Sequence, residues 1–261
     1  MIRHFFVRTM AALALTALAT SAAPAAEEKA AARCYELRTY HAAPGKLDAL
    51  HARFRDHTMA LFVKHGMTNV GYWVPKDNTA NELIYLLSYP DKAARDKSWK
   101  DFQNDPDWKS AQAASETGGP LVQKVDSRFL TPTDFSPEPK GTAEGAPHVF
   151  ELRTYTATPG NLPLLLSRFR DHTLELFKKH GMTNFVYFTP SAGEPGADNT
   201  LIYLLQHASA EAGAASFEAF RADSEWIKAK EASEKAGGGS LTIPDGVKSE
   251  FLIPTDYSPV K

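Results

Sequence analysis

The chain writes one block of residues twice. Arg53–Asn69 reads RFRDHTMALFVKHGMTN, and Arg168–Asn184 reads RFRDHTLELFKKHGMTN. The likeness extends far beyond that block. YELRTY at Tyr35 returns as FELRTY at Phe150, 115 residues on. LIYLL at Leu83 returns at Leu201, and FQNDPDW at Phe102 becomes FRADSEW at Phe220, both at an offset of 118. FLTPTDFSP at Phe129 becomes FLIPTDYSP at Phe251, at an offset of 122. The offset grows only through SAGEPGADN and KAGGGSLTIPDG, Gly-rich stretches where loops absorb insertions. So long a period implies two domains of like fold, not a solenoid of short repeats. Because PTDFSP recurs at the C-terminus as PTDYSP, it is read as closing a domain. The connector is then 138–147, EPKGTAEGAP. The expected domains are 33–137 and 148–259, each of about 110 residues and large enough for a core.

One unit can be read element by element. CYELRTY alternates, with Tyr35, Leu37 and Thr39 on one face and Glu36, Arg38 and Tyr40 on the other. APGKLDALHARFRDHTMALFVKHG carries Leu47, Leu50, Phe54, Leu61 and Phe62 at helical spacing, with Gly66 placed for a left-handed cap. NVGYWVP and ELIYLLSY read as strands. DKAARDKSWKDFQND reads as a second helix, followed by a short helical turn through Trp108 and a last strand around Val122–Leu130. This is βαββαβ, the α+β ferredoxin-like order. LIYLL is apolar on both faces in both copies, so both sides of that strand must be covered. Helices cover one side. The other unit's sheet is the economical cover for the second, giving two tandem units with sheets face to face as a barrel.

YELRTY, PGKL, RFRDHT, KHG and the later DPDW, in this order and spacing, resemble the NIPSNAP family of the dimeric α/β-barrel superfamily. The resemblance covers nearly the whole chain after the N-terminus, twice. It implies ferredoxin-like units paired through their sheets, usually as a homodimer of single units or an oligomer of tandem ones. It implies no single reaction. Relatives on this architecture include cofactor-independent monooxygenases, haem-handling enzymes and small isomerases, and fold alone does not choose among them.

The N-terminus carries Arg3 and Arg8, an apolar run at Met10–Ala19, and then TSAAPAAEE. This pattern predicts an export signal over 1–25 cleaved near Ala25, and a secreted or periplasmic product. The run is too short to predict a membrane span. Loss of the two arginines takes the formal charge from −2 to −4, which leaves no basic footprint for nucleic acid. The single cysteine, Cys34, answers to Val149 in the other copy and reads as an apolar residue entering a strand. An intermolecular disulfide is the other reading.

The candidate ligand-binding residues are Glu36, Arg38 and Tyr40, with their counterparts Glu151, Arg153 and Tyr155. Their face is expected to meet the partner sheet. There the arginines either clamp a carboxylate bidentately or form a structural ion-pair lattice between facing strands. His57 and His172 are read as general bases or as hydrogen-bonded boundary histidines. His65 and His180, just before a cap glycine, fit the end of a helix. In DPDW and DSEW an acid precedes Trp108 and Trp226, read as an N-cap before a core aromatic or as the wall of a ligand site. Tyr72 with Trp73, and Tyr187 with Phe188, each send one ring inward. No P-loop, nucleophile elbow, dinucleotide fingerprint or Cys/His cluster is present, so no cofactor, metal site or catalytic residue is assigned. The expected function is an exported protein that binds or transforms a small acidic or aromatic molecule between the repeats. Two alternatives stand beside it: a non-enzymatic module for a protein partner or homo-oligomer, and haem or metal handling through the histidines.

Overall fold

The computed structural model describes residue 1 and residues 33–140 and 148–261. The expected export signal and most of the expected connector lie outside the described residues. The first repeat runs β1 (Cys34–Ala42), α1 (Leu47–Arg53), α2 (Met59–Lys64), β2 (Thr68–Pro75), β3 (Glu82–Tyr89), α3 (Lys92–Asn104), α4 (Pro106–Ser115) and β4 (Val122–Pro132). The second runs β5 (Val149–Ala157), α5 (Leu162–Arg168), α6 (Leu174–Lys179), β6 (Thr183–Pro190), β7 (Thr200–His207), α7 (Ala210–Ala222), α8 (Ser224–Ala236) and β8 (Thr242–Pro254). The order is βαββαβ twice, as expected. The turn expected through Trp108 is a full ten-residue helix, α4. Asp105 starts it by accepting the Asp107 backbone N–H, as Asp91 starts α3 by accepting from Ala94.

The strands close into one barrel in the order β1-β3-β2-β8-β5-β7-β6-β4. Within each repeat the order is that of a ferredoxin-like sheet. The two seams lie between repeats, where Trp73 faces Pro254 on β2–β8 and Leu130 faces Pro190 on β4–β6. Closure leaves no unpaired sheet edge. It also explains LIYLL: Leu83, Tyr85 and Leu87 pack under the helices, while Ile84 and Leu86 fill the barrel.

The barrel interior is apolar. Tyr35, Trp73, Leu130, Phe150, Phe188 and Leu252 share one buried cluster there with residues of every strand of the closed sheet. Trp73 and Phe188 are thus the inward rings, and Tyr72 and Tyr187 face the helices. The two halves solve the same packing problem differently. A Cβ added to Gly71 would lie 2.2 Å from the Trp73 ring. The other repeat has Val186 and Phe188 at the corresponding positions. A glycine makes room for an indole on one side, and a valine fills beside a phenyl on the other.

PTDFSP follows the last strand of its repeat, as the sequence suggested. It crosses to the other one. The Thr133 N–H donates to the Tyr187 carbonyl, and the Tyr187 N–H donates to Ser136 Oγ at 2.9 Å. Arg170 grips Asp134 with two hydrogen bonds of 2.8 Å. PTDYSP returns the exchange: the Thr255 N–H donates to Tyr72, the Tyr72 N–H donates to Ser258, and Arg55 grips Asp256. The motif recurs because each copy of β2 or β6 needs a covering arm, and the strand that runs out beside it belongs to the other repeat. Among the described residues, no helix is long and apolar enough to cross a membrane.

The glycine–tryptophan match gives a direct check. Gly71→Val overpacks the barrel and should cost about 1–3 kcal/mol. Gly71→Val/Trp73→Phe recreates the pair of the other repeat and should recover most of that loss. Urea midpoints of the three proteins measure both effects, and a double variant no more stable than Gly71→Val would refute the packing account.

Candidate functional site

The alternation read from CYELRTY is present, but its two faces are reversed with respect to the barrel. Tyr35 and Leu37 point inward. Glu36, Arg38 and Tyr40, with Glu151, Arg153 and Tyr155, point outward beneath the helices. The expected meeting of the two arginine strands inside the barrel does not occur. The physical reason is the cost of burying charge without partners. An interior filled by Trp73, Phe150 and Phe188 offers none, whereas α3 and β4 offer several. A hollow of about 370 Å³ does remain beside Leu37, Thr39, Thr154 and Ile202, with Asp126, Arg128 and Glu194 also on its lining. The six candidate residues do not line it.

Glu36 has no exposed surface and is the hub of the first repeat. Arg38 donates to it from the same strand. From α3, Arg95 donates through Nε at 2.8 Å and Nη2 at 2.7 Å, and Trp99 Nε1 at 3.2 Å. Ser127 on β4 adds a 2.7 Å bond, and the Tyr89 hydroxyl donates at 3.2 Å. Burial alone would push this carboxyl up. The hydrogen bonds from Arg95 and the charge of Arg38 outweigh it and hold the pKa at about 2. Glu151 is also held below the usual carboxylate range, again against burial, by the His207 hydrogen bond and Arg153. The partners differ between the copies. His207 Nε2 lies 3.0 Å from Glu151 in place of Tyr89, and Gly213 and Phe217 stand where α3 has Arg95 and Trp99.

Arg38 is held flat by its surroundings. Its Nε donates to the Tyr85 hydroxyl at 2.9 Å, and its Cζ sits 4.4 Å from the centre of the Trp99 ring. Its Nη2 makes no hydrogen bond within the described residues and is left for the adjoining cleft. Arg38, Tyr40, Trp99 and Trp108 line that cleft, which holds about 280 Å³, together with Gln103 and Gln112. The cleft has a second arginine, Arg53, which is 5% exposed. Arg53 Nη1 donates to Glu116 at 2.8 Å and to Ser115 at 3.3 Å, its Cζ lies 5.2 Å from the Trp108 ring, and its Nε is buried without a partner.

Arg53 is placed there by a local break in the helix. Phe54–Thr58 is a π turn, and the Thr58 hydroxyl donates to the Arg53 carbonyl at 3.1 Å. Threonine competes with the backbone in this way, and π segments are frequent at functional sites. The second repeat has the same turn at Phe169–Thr173, the same Thr173 bond, and a buried Arg168. Its cleft holds about 510 Å³ beside Arg153, Tyr155, Phe217 and Trp226, with Arg221 and Lys230 also on its lining.

The histidines lie elsewhere. His57 and His172 are exposed on the π turns, without the boundary hydrogen bonds expected of them. His65 and His180 end α2 and α6 and bond Asp105 and Asp223 at 2.6 and 2.8 Å. His65 ties α2 to the capping acid of α4, and His180 ties α6 to that of α8, where the sequence suggested bonds to the helix's own last carbonyls. No group of three His, Cys, Asp or Glu that could hold a metal exists among the described residues. Cys34 is buried as a free thiol, pushed up in pKa by that burial. Sequence reasoning missed Arg53, Arg168, Arg95, Trp99, Gln103 and Gln112. The usable signal was a cation retained in both copies beside Phe54 and Phe169, on the buried side of an amphipathic helix.

A tandem pair of βαββαβ units closed through their sheets is the architecture of the dimeric α/β-barrel proteins. Similar solved structures include a proposed monooxygenase from Fusobacterium nucleatum subsp. nucleatum ATCC 25586, 11% identical, covering 86% of this chain and 93% of that one at a TM-score of 0.56. Another is a proposed monooxygenase from Lactobacillus acidophilus NCFM, 10% identical over 85% of this chain and 94% of that one, with a TM-score of 0.54. The NIPSNAP family model matches residues 35–137 and 150–259, and the chain belongs to the NIPSNAP family. An uncharacterized NIPSNAP domain protein from Burkholderia xenovorans is 23% identical over 40% of this chain and 99% of its own, with a TM-score of 0.36. No curated protein matches the chain.

The hub carboxylate sets an acid dependence. A carboxyl whose folded pKa is depressed contributes stability above its unfolded pKa and loses it as pH falls through the folded one. For Glu36, a drop from 4.5 to about 2 corresponds to about 3 kcal/mol. The stability gap between wild type and Glu36→Gln should therefore shrink by about that much between roughly pH 5 and pH 2. Denaturant titrations across this range check it. A gap that does not change with pH would mean the buried group is not a carboxylate in the folded protein.

Proposed function

We propose that the protein binds small molecules in the clefts between each repeat's sheet and its helices, and that the first cleft takes a small aromatic carboxylate. One observation carries this reading. Arg38 and Arg53 both reach one aromatic-walled cleft, and each keeps guanidinium N–H donors that no group among the described residues uses. Guanidinium matches a carboxylate in two parallel hydrogen bonds. Trp99 and Trp108 supply apolar surface for a ring, and the amides of Gln103 and Gln112 supply neutral polar contacts. A volume of about 280 Å³ sits at the small end of ligand pockets, which run from about 300 to 1,000 Å³, so a single ring is the fitting size. The sequence-based reading of an acidic or aromatic ligand is kept, and its place moves from the barrel to the helix side of the sheet.

The charged and apolar N-terminal run supports an exported setting for this binding. N-terminal sequencing of the protein recovered from outside the cytoplasm tests that part, and an intact Met1 would refute it.

Calorimetric titration with benzoate tests the binding. Removing one charge-assisted hydrogen-bonding group costs roughly 1.5–3 kcal/mol. Arg38→Gln and Arg53→Gln should each weaken benzoate at this cleft by roughly tenfold or more, with far-UV circular dichroism unchanged. Unaltered affinity in both variants would remove the arginines from the site.

A further inference from the structure

The two clefts are built on one plan, yet their charged groups differ at related positions. At the offset of 118, Gln103 and Gln112 of the first cleft correspond to Arg221 and Lys230 of the second. Trp99 corresponds to Phe217, and the volume rises from about 280 to about 510 Å³. A smaller ring opens the second cleft while two cations replace its neutral amides.

The deep cations differ as well. Arg53 is neutralised by Glu116 at 2.8 Å. Its counterpart Arg168 is 6% exposed and has no carboxylate within 4.0 Å among the described residues. Arg168 Nη1 meets only Ser233 Oγ, at 3.3 Å, and its Nε is buried without a partner. Its Cζ lies 5.1 Å from the ring of Trp226, which lines the cleft. Glu234, the counterpart of Glu116, instead lies 4.0 Å from Lys230. Glu231 is the other acid on the lining. Arg221 makes no ion pair among the described residues. Burial pulls the Arg168 guanidinium down in pKa, and the more distant charge of Glu234 offsets this only in part.

We infer that the second cleft takes a small molecule bearing two anionic groups, one held by Arg153 beside the field of Arg168 and the other by Arg221 and Lys230. This rests on the reading that the clefts bind small molecules, and adds that the two copies have different ligands. Arg153 can serve the first group. Its guanidinium has five N–H donors, and it donates one each to Tyr203, Glu151 and Tyr155. Arg221 and Lys230 are exposed, so their attraction falls with added salt. They act as the discriminating pair rather than as the anchor.

Benzoate and terephthalate, one aromatic ring with one or two carboxylates, separate the readings when titrated calorimetrically into the full chain. Arg38→Gln silences the first cleft, and Arg153→Gln the second. In Arg38→Gln protein, terephthalate should bind roughly tenfold tighter than benzoate, the value of one added charge-assisted contact. In Arg153→Gln protein that preference should be absent. Adding Arg221→Gln/Lys230→Gln to Arg38→Gln should abolish the preference while leaving benzoate within about twofold, and Arg221→Lys/Lys230→Arg should retain it. Both altered residues are exposed, so folding is not at risk. Benzoate bound at the first cleft with no terephthalate preference at the second overturns this inference and leaves the proposed function standing. Failure of either probe to bind either cleft overturns both.

Discussion

The closed barrel of eight strands fills its buried middle with apolar side chains, and this constraint organises the molecule. The central strands β1, β3, β5 and β7 are covered on both faces, so each divides its residues between two interiors, while β4 and β8 stay exposed over much of their length. The inner one is bounded by other strands, whose backbone groups are already spent on the ladders. The outer one is bounded by helices, whose side chains can be polar and whose edges open to water. A charge costs several kcal/mol to bury alone, so the charges of β1 and β5 go where Arg95, Ser127 or His207 can meet them. The buried charges of these two strands therefore lie beneath the helices, once per repeat.

The seventeen-residue duplicate now has a physical content at nearly every position. Arg53 reaches the cleft, Phe54 packs in the core, and Arg55 holds the arm of the other repeat. Thr58 sustains the π turn, His65 bonds Asp105, and Gly66 takes a φ of +78° that a side chain would resist. Asn69 donates to the Met59 carbonyl and accepts from the Tyr72 hydroxyl. Most of these roles are structural. The histidines, which look most like chemistry in the sequence, are not on the lining of either cleft, whereas Arg53 lines the first. Because the arms are exchanged, Tyr72 and Tyr187 are each covered by the other repeat's chain. Phe54, on the wall of the first cleft, packs against Tyr72, so that wall leans on a residue the other repeat covers.

The architecture was legible because it follows from local patterns: alternation in CYELRTY, helical spacing around Phe54, Asp91 and Asp105 as caps, and an apolar LIYLL that needs cover on two sides. The position of the site was not legible, for a definite reason. Alternation separates two faces without naming either. When both faces of a sheet are buried, hydrophobicity cannot tell barrel from helix layer, and assigning Arg38 inward was a choice of parity. The π turn was equally hidden. It leaves the helical spacing of Leu50, Phe54 and Leu61 almost unaltered, and only a threonine five residues after a buried arginine betrays it. The crossing of PTDFSP was missed because a repeated ending looks like a terminator in one dimension, whereas in a barrel the final strand of each unit lies beside the other unit.

Comparison of the two halves separates what the fold demands from what each cleft has been free to change. The clasp is kept in kind: Arg55 with Asp256, Arg170 with Asp134. So are the π turns and the buried Glu–Arg pair of the first strand. Around that pair the copies part. Glu36 is compensated by Arg95 with Tyr89 and Trp99, and Glu151 by His207. The three replacements, His207, Gly213 and Phe217, read as one coupled change. A Cβ at position 213 would stand 3.0 Å from the His207 ring, so the histidine that pairs Glu151 favours the glycine. Loss of the arginine in turn requires another donor for the carboxylate. The indole N–H that Trp99 points at Glu36 has no equivalent in Phe217, whose ring lies 4.2 Å from the Arg153 guanidinium and gives the second cleft its extra width. A buried carboxylate must be paired, but the pairing group is interchangeable, and that freedom leaves one duplicated frame with two differently lined clefts.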